Sequence, residues 1–149
     1  MLSLDAGASL VIRPSPTEGH QHDRRSGKSF NISGHEHSKV MLLTPDLQSR
    51  ELAIEAGKIS FKPTGKDNYH ALVAKRKHNN VYQTAIRYVY AFGKPTGHSP
   101  SDLTDLQKTD LEIIPDPLPR EHWHYQAGGE AAFVVRYKGC LLYTSPSPR

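Results

Sequence analysis

Apolar side chains recur at every second position along most of this chain, and this spacing restricts the fold more than any other feature of the sequence. Successive side chains of a β-strand point to opposite faces, so a period of two places the apolar residues on one face of a sheet. The pattern predicts strands at 9–14, 28–33, 39–44, 52–54, 59–61, 69–75, 81–92, 111–115 and 131–137.

Turn residues separate these runs at intervals of roughly 8–12 residues, which is typical of a β-sandwich or barrel. No segment has the apolar spacing of a three-turn helix. Leu103 and Leu106 allow a short helical turn, which Ser101 or Asp102 could cap. The sequence therefore predicts an all-β protein, with an antiparallel β-sandwich domain over 1–110 and the truncated start of a second β domain over 111–139.

The last ten residues, 140–149, leave the strand pattern for an end rich in Ser and Pro. This end resembles a translated sequencing adapter, so we predict a non-native tail; an ordinary flexible tail is the alternative. A foreign tail would mean that the natural protein continues past Gly139. The interrupted second domain would then expose an unpaired strand edge near 133–137.

Charge and hydropathy exclude several classes of function. The net charge of +4 arises from 19 basic and 15 acidic residues in short, scattered pieces such as Lys75-Arg76-Lys77, so we predict no nucleic-acid binding. No apolar run approaches the roughly 18 residues of a membrane helix, and no transmembrane segment is predicted. The first ten residues show no signal peptide. Cys140 is the only cysteine and cannot form an internal disulfide.

Histidine is the residue type that most suggests chemistry in this sequence. Six of the nine histidines form three His-x-His pairs, namely His20/His22, His35/His37 and His122/His124. In a strand, positions i and i+2 lie on one face about 6.5–7 Å apart, so two imidazoles can bind one zinc, nickel, copper or iron ion. The His35/His37 pair follows a predicted strand that could hold it rigidly. The alternative is that these histidines are solvated loop residues.

Catalytic motifs are missing from the sequence. It contains no nucleophile elbow, phosphate-binding loop, His-Glu-x-x-His or dinucleotide fingerprint, and no spacing singles out two carboxylates for acid–base work. We therefore predict that the protein is not an enzyme. Tyr82, Tyr88 and Tyr90 share one face of a predicted strand, where they either form core or bind a sugar or peptide.

Five short segments carry a family resemblance. The stretch Leu111-Glu-Ile-Ile-Pro115, the turn Gly129-Glu130 and the strand 133–139 resemble the domain junction of the domain-of-unknown-function 4198 family. The segments 63–75 and Ser33-Gly-His35 are similar to an upstream strand pair and a Gly-His of that family. The chain departs from the family pattern at Cys140.

The resemblance implies two immunoglobulin-like sandwiches, export to the periplasm and a role linked to nickel or cobalt uptake. It leads us to expect a periplasmic, non-catalytic binding protein that handles a divalent transition metal (nickel, cobalt or zinc) and works with a membrane protein of an uptake system. His35/His37 would be the first ligands. The alternative is a structural or adhesive β-sandwich module that binds a protein or a glycan.

Overall fold

The computed structural model describes residues 9–15, 27–34, 36, 38–118 and 127–145, and it confirms the predicted all-β class. Within these residues, ten strands and one short helix follow one another. They are β1 (Val11–Pro14), β2 (Lys28–Ser33), β3 (Ser38–Leu43), β4 (Ser49–Leu52), β5 (Lys58–Phe61), β6 (Tyr69–His78), β7 (Val81–Tyr90), α1 (Pro100–Asp105), β8 (Leu111–Pro115), β9 (Phe133–Tyr137) and β10 (Cys140–Ser145).

The strands form three antiparallel sheets, in the orders β1-β2-β5, β4-β3-β6-β7 and β10-β9-β8. The four-stranded sheet lies between the other elements. Its strand β6 is accordingly buried on both faces, from Tyr69 to Ala74. The sequences of strands that are buried on both faces are nearly continuous apolar runs, and the first half of β6 is such a run apart from His70. The four-stranded sheet therefore contributes to two separate cores.

The first core lies between the four-stranded sheet and the β1-β2-β5 sheet. Leu42, Leu72 and Val89 project from the four-stranded sheet into this core, where they meet side chains of the opposite sheet such as Phe30 and Ile59. Since two sheets enclose one apolar layer, this half of the chain is a β-sandwich in the broad sense. Its immunoglobulin-like character stays a prediction.

The second core lies on the opposite face of the same sheet. Alternate residues of β6 and β7, among them Val73 and Tyr88, pack there against Leu103 of α1 and Ile114 of β8. Val134 of β9 joins this cluster. Ile114, Leu118 and Val134 thus share a core with the first predicted domain, whereas the division of the chain at residue 110 stays a prediction.

The cap of helix α1 lies two residues before Ser101, the earlier of the two predicted caps. Ser99 is the N-cap, its hydroxyl accepting a hydrogen bond from the Ser101 amide, while the Asp102 carboxylate accepts one from the Ser99 amide. This reciprocal arrangement is a capping box. Neither Ser101 nor Asp102 is the cap itself, and Pro100 supplies the fixed φ that suits a first helical turn.

The predicted unpaired edge near 133–137 is wrong for this chain. Strand β9 is the central strand of its sheet, pairing with β8 on one side and with β10 on the other. Strand β10 begins at Cys140, so it is built from the first residues of the predicted non-native tail. The origin of that tail stays a prediction.

Candidate functional site

The four-stranded sheet has two very different edges. At one edge, β4 has four residues, among them the charged Arg50 and Glu51. At the other edge, β7 has ten residues and pairs with β6 alone among the described strands. Short or charged edge strands discourage pairing with another chain, whereas a long open edge is a template for it. The edge of β7 is therefore the candidate site.

The turn between β6 and β7 determines which backbone groups of β7 face outward. Asn79 and Asn80 both have positive φ, 50° and 63°, in a two-residue hairpin turn closed by the pair His78 and Val81. The closing pair of such a turn exchanges both backbone hydrogen bonds, and hydrogen-bonded and non-hydrogen-bonded pairs then alternate along the ladder. The N–H of Ala91, ten residues beyond Val81, accordingly donates to Asn68 at 2.8 Å.

Odd-numbered residues of β7 therefore hydrogen-bond to β6, and even-numbered residues direct their N–H and C=O groups away from it. Within the part of the chain that the structure describes, no backbone hydrogen bond satisfies Tyr82 or Thr84 on this open side. These two residues present donors and acceptors that another extended chain could use.

A groove of about 750 Å³ opens beside this part of β7. One wall is formed by 82–84 of β7 with Lys75 and Arg76 of β6, and the other by the segment 107–111 that leads into β8. Leu10, just before β1, lines a third side. The volume falls within the roughly 300–1,000 Å³ of typical ligand pockets.

The tyrosines of β7 have different environments, although they share one face of the strand. Tyr82 is 72% exposed in the groove, and the Lys77 ammonium lies 5.4 Å from the centre of its ring. Tyr88 is buried in the second core. The two alternatives for this aromatic face thus apply to different residues, with Tyr88 in the core and Tyr82 available for binding.

A buried ion pair supports the far wall of the groove. The Lys108 ammonium lies 2.9 Å from Oε1 of Glu112, and both side chains are almost completely buried. It also donates to the carbonyls of Leu103 and Leu106, at 2.6 and 2.7 Å, just where α1 ends. Burial lowers the pKa of Lys108, although the bond to Glu112 opposes this effect. The ammonium therefore ties the end of α1 to β8.

The Tyr88 ring completes this buried cluster. Its centre lies 5.6 Å from the Lys108 ammonium, a distance at which a cation and an aromatic ring attract one another. Burial, reinforced by the negative charge of Glu112, raises the pKa of the Tyr88 phenol far above its usual range. A phenol that stays neutral and a lysine held by three groups favour a structural role for the cluster.

Arg76 supports the near wall. Its guanidinium donates to the carbonyl of Gly34 at 2.6 Å and to the side-chain carbonyl of Gln83. Gly34 belongs to the connection between β2 and β3, which crosses from one sheet to the other. The arginine thereby links β7 to the connection between β2 and β3, and its guanidinium is engaged in contacts within the protein.

The six histidines of the predicted metal site lie outside the described residues. They are His20, His22, His35, His37, His122 and His124. Among the residues that are described, no group of three His, Cys, Asp or Glu side chains could hold a metal ion. The metal hypothesis therefore stays a prediction.

His70 is the one histidine of β6 that is completely buried. Its Nε2 accepts the Thr64 amide proton at 3.2 Å, so the ring carries its proton on Nδ1, which has no hydrogen-bond partner within the described chain. Burial lowers the pKa of His70 from 6.5 to about 4, although the carboxylate of Asp46 opposes the shift. Its role is to hold the 62–67 turn against the sheet.

Acid should destabilise the protein through His70. In the unfolded chain, the His70 imidazole binds a proton below pH 6.5. In the folded protein, the same imidazole stays neutral down to about pH 4, because burial lowers its pKa. We expect the free energy of unfolding to fall by about 3 kcal/mol over this range, with the loss ceasing to grow below it. Urea unfolding of the wild type and of His70→Gln at several pH values measures the difference. The exposed His78→Gln is the control, and equal pH slopes in all three proteins would contradict the assignment.

A second cavity, of about 150 Å³, lies near His98 and Asp67. The Asp67 carboxylate accepts hydrogen bonds from the amide and hydroxyl of Thr96, and these bonds lower its pKa. The Asp46 carboxylate accepts a hydrogen bond from the hydroxyl of Thr44. Through these local bonds, the two carboxylates stabilise turns.

The fold defines an antiparallel β-sandwich protein with an open edge strand and an adjoining groove. Comparison of the chain with models of protein families, with curated protein sequences and with solved structures finds no match. The resemblance to the domain-of-unknown-function 4198 family therefore stays a prediction. No helix of the described residues is long and apolar enough to cross a membrane.

The sequence pattern alone missed this edge as a site. Alternation identified β7 as the longest strand, but which strand lies at an edge depends on pairings between distant segments. The Asn79-Asn80 dipeptide was the available signal, because a two-residue turn fixes the direction of every backbone group that follows it.

Proposed function

We propose that the protein is a non-catalytic binding module that takes an extended segment of another polypeptide along the free edge of β7. The observation that carries this proposal is that the outward backbone groups of Tyr82 and Thr84 open onto a 750 Å³ groove. An extended chain lying there would add a fifth strand to the sheet, with main-chain hydrogen bonds giving the affinity.

The composition of β7 supports the proposal. The strand contains neither Pro nor Lys, the residues that most often protect an edge from pairing. Its one charged residue, Arg87, donates to the carbonyl of Ile12 at 3.3 Å and lies over the Phe30 ring. The exposed Tyr82 ring adds a rigid contact at low entropic cost, as aromatic residues do at binding sites.

A neutral peptide tests strand addition directly. We expect a labelled peptide of alternating Gln and Val to bind, as measured by fluorescence anisotropy, and its analogue with methylated backbone nitrogens to bind at least about tenfold more weakly. Thr84→Pro should weaken binding by a similar factor. The Thr84 N–H faces away from β6, so proline there removes an outward donor without breaking the β6–β7 ladder.

Thr84→Val is the matched control, because it keeps the N–H and should bind like the wild type. Hydrogen exchange gives an independent measure of the same contact. We expect the free protein to protect the Gln83 amide and expose the Tyr82 and Thr84 amides, and the peptide to slow exchange at the latter two. Exchange at Tyr82 and Thr84 that stays fast at saturating peptide would contradict strand addition.

Export to the periplasm, an immunoglobulin-like topology, handling of nickel or cobalt and association with an uptake-system membrane protein are further proposals. They rest on the family resemblance and on the three His-x-His pairs. They are compatible with strand addition, since the histidines and the β7 edge are different parts of the chain.

A further inference from the structure

We propose that the segment bound beside β7 is acidic, with carboxylates at alternate positions i and i+2 that are read by a row of lysines on the four-stranded sheet. This inference rests on the proposed function, because it specifies the ligand of the same edge. It follows from the register of β3, β6 and β7 and from the charges that face the groove.

Three lysines lie on the face of the sheet that Tyr82 and Thr84 share. Lys39 of β3 is directly opposite Lys75 of β6, and Lys75 is directly opposite Thr84 of β7. Lys77 is opposite Tyr82 in the next row. Because side chains of directly opposite residues lie on the same face of a sheet, these ammonium groups form one basic surface that ends at the open edge.

Little negative charge offsets this surface. Lys75 is exposed and forms no ion pair within the described chain. Of the described residues that line the groove, Asp110 is the one carboxylate, on the far wall. Glu51 lies on the same face of the sheet, but it belongs to the opposite edge strand and is paired with Met41. A cationic groove of this kind favours an anionic partner.

The free edge determines how the negative charges must be spaced. In a strand added to β7, the residues opposite Tyr82 and Thr84 would direct their side chains to the lysine face, and the residue between them would point to the other face. Such positions are two residues apart. The added strand would lie roughly 10 Å from β6, since neighbouring strands are about 4.8 Å apart, and the long side chains of Lys75 and of a glutamate can span this distance.

The residues between the acidic ones should be apolar or uncharged. On the other face of the sheet, the added strand would lie next to Val81, which is 55% exposed, and Gln83. The predicted ligand is thus an extended polypeptide in which acidic residues alternate with β-branched ones. Contiguous acidic residues would place half of their charges on the wrong face.

Three peptides of equal length test this inference. One alternates Glu with Val, one alternates Gln with Val, and one has all of its Glu residues before all of its Val residues. We expect the alternating acidic peptide to bind the wild-type protein about five- to tenfold more tightly than either of the others at low salt. The advantage should vanish at roughly 1 M salt, where the Debye length is about 3 Å.

Protein variants assign the effect to the lysine row. Lys75→Met keeps most of the side-chain stem and removes the charge, and we expect it to abolish most of the advantage of the alternating acidic peptide. Lys58→Met is the matched control, since Lys58 is an exposed residue of β5 in the other sheet. It should leave the ratio of affinities unchanged.

The possible failures are distinguishable. Equal binding of the Glu–Val and Gln–Val alternating peptides would overturn the acidic preference and leave strand addition intact. Equal binding of the two Glu-containing peptides would overturn the alternation, because it would mean attraction to charge alone. Failure of all three peptides to bind would overturn the proposed function together with this inference.

Discussion

We expect the Lys108→Met substitution to lower the free energy of unfolding by about 3–5 kcal/mol, the cost of leaving one member of a buried ion pair without its partner. The Lys108 ammonium lies 2.9 Å from Glu112 and also donates to the carbonyls of Leu103 and Leu106. Methionine has a similar length but can satisfy none of these groups. Urea unfolding at neutral pH, followed by circular dichroism, measures the loss.

A double variant separates the charge from the packing. In Lys108→Met/Glu112→Leu both charges are removed, and replacement of a whole buried ion pair by apolar groups is often close to neutral. We therefore expect the double variant to be more stable than Lys108→Met alone, although the α1 carbonyls stay unsatisfied. Lys62→Met, at an exposed position, controls for loss of a lysine. A double variant no more stable than the single one would contradict the ion-pair account.

We expect Leu72→Ala and Ile114→Ala each to lower the free energy of unfolding by about 2–5 kcal/mol, the range for truncation of a large buried aliphatic side chain. Leu72 belongs to the core between the four-stranded sheet and the β1-β2-β5 sheet, and Ile114 to the core on the other face of the four-stranded sheet. Because β6 contributes residues to both cores, both substitutions should shift the same cooperative transition. Circular dichroism and tyrosine fluorescence should report one midpoint for each variant.

Ile113→Ala is the control for Ile114→Ala. Ile113 is the neighbouring residue of β8 but points away from the core and is 57% exposed, so its truncation should change stability by no more than about 0.5 kcal/mol. Two separate transitions in the wild type, with Ile114→Ala affecting only one, would instead support an independent domain beginning near residue 111.

Sequence periodicity predicted the strands well because alternation is a local property. The runs 28–33 and 111–115 became strands with their expected bounds. Alternation does not reveal which strands pair, since pairing joins segments far apart in the chain. The expected open edge near 133–137 failed for this reason, because β9 gained a partner on each side.

Tertiary structure also determines the burial of His70 in β6 and of the tyrosines in β7. His70 interrupts an apolar run, and its side chain is completely buried, with Nε2 accepting a hydrogen bond from the Thr64 amide. The same face of β7 holds the buried Tyr88 and the exposed Tyr82 because α1 and β8 cover only part of the strand. Where such a cover ends depends on tertiary structure and not on residue type.

The candidate site was predicted least well. The metal-binding chemistry of histidine pointed to the His-x-His pairs, which lie outside the described residues. The edge of β7 is instead defined by backbone N–H and C=O groups, which nearly every residue possesses. Side-chain composition carries no information on which backbone groups are unpaired. The sequence offers one indirect signal. Once the Asn79-Asn80 turn is recognised, it fixes which residues of β7 lie opposite Lys75 and Lys77.

The Asn79-Asn80 turn has an evolutionary consequence. Both residues adopt positive φ, which asparagine tolerates better than most residues, and the length of this turn sets the phase of β7 relative to β6. Insertion of a single residue there would exchange the inward and outward sets of backbone groups and move the lysine row out of step with the edge. Homologues that keep the binding edge should therefore vary freely in groove side chains but conserve the length of this hairpin turn.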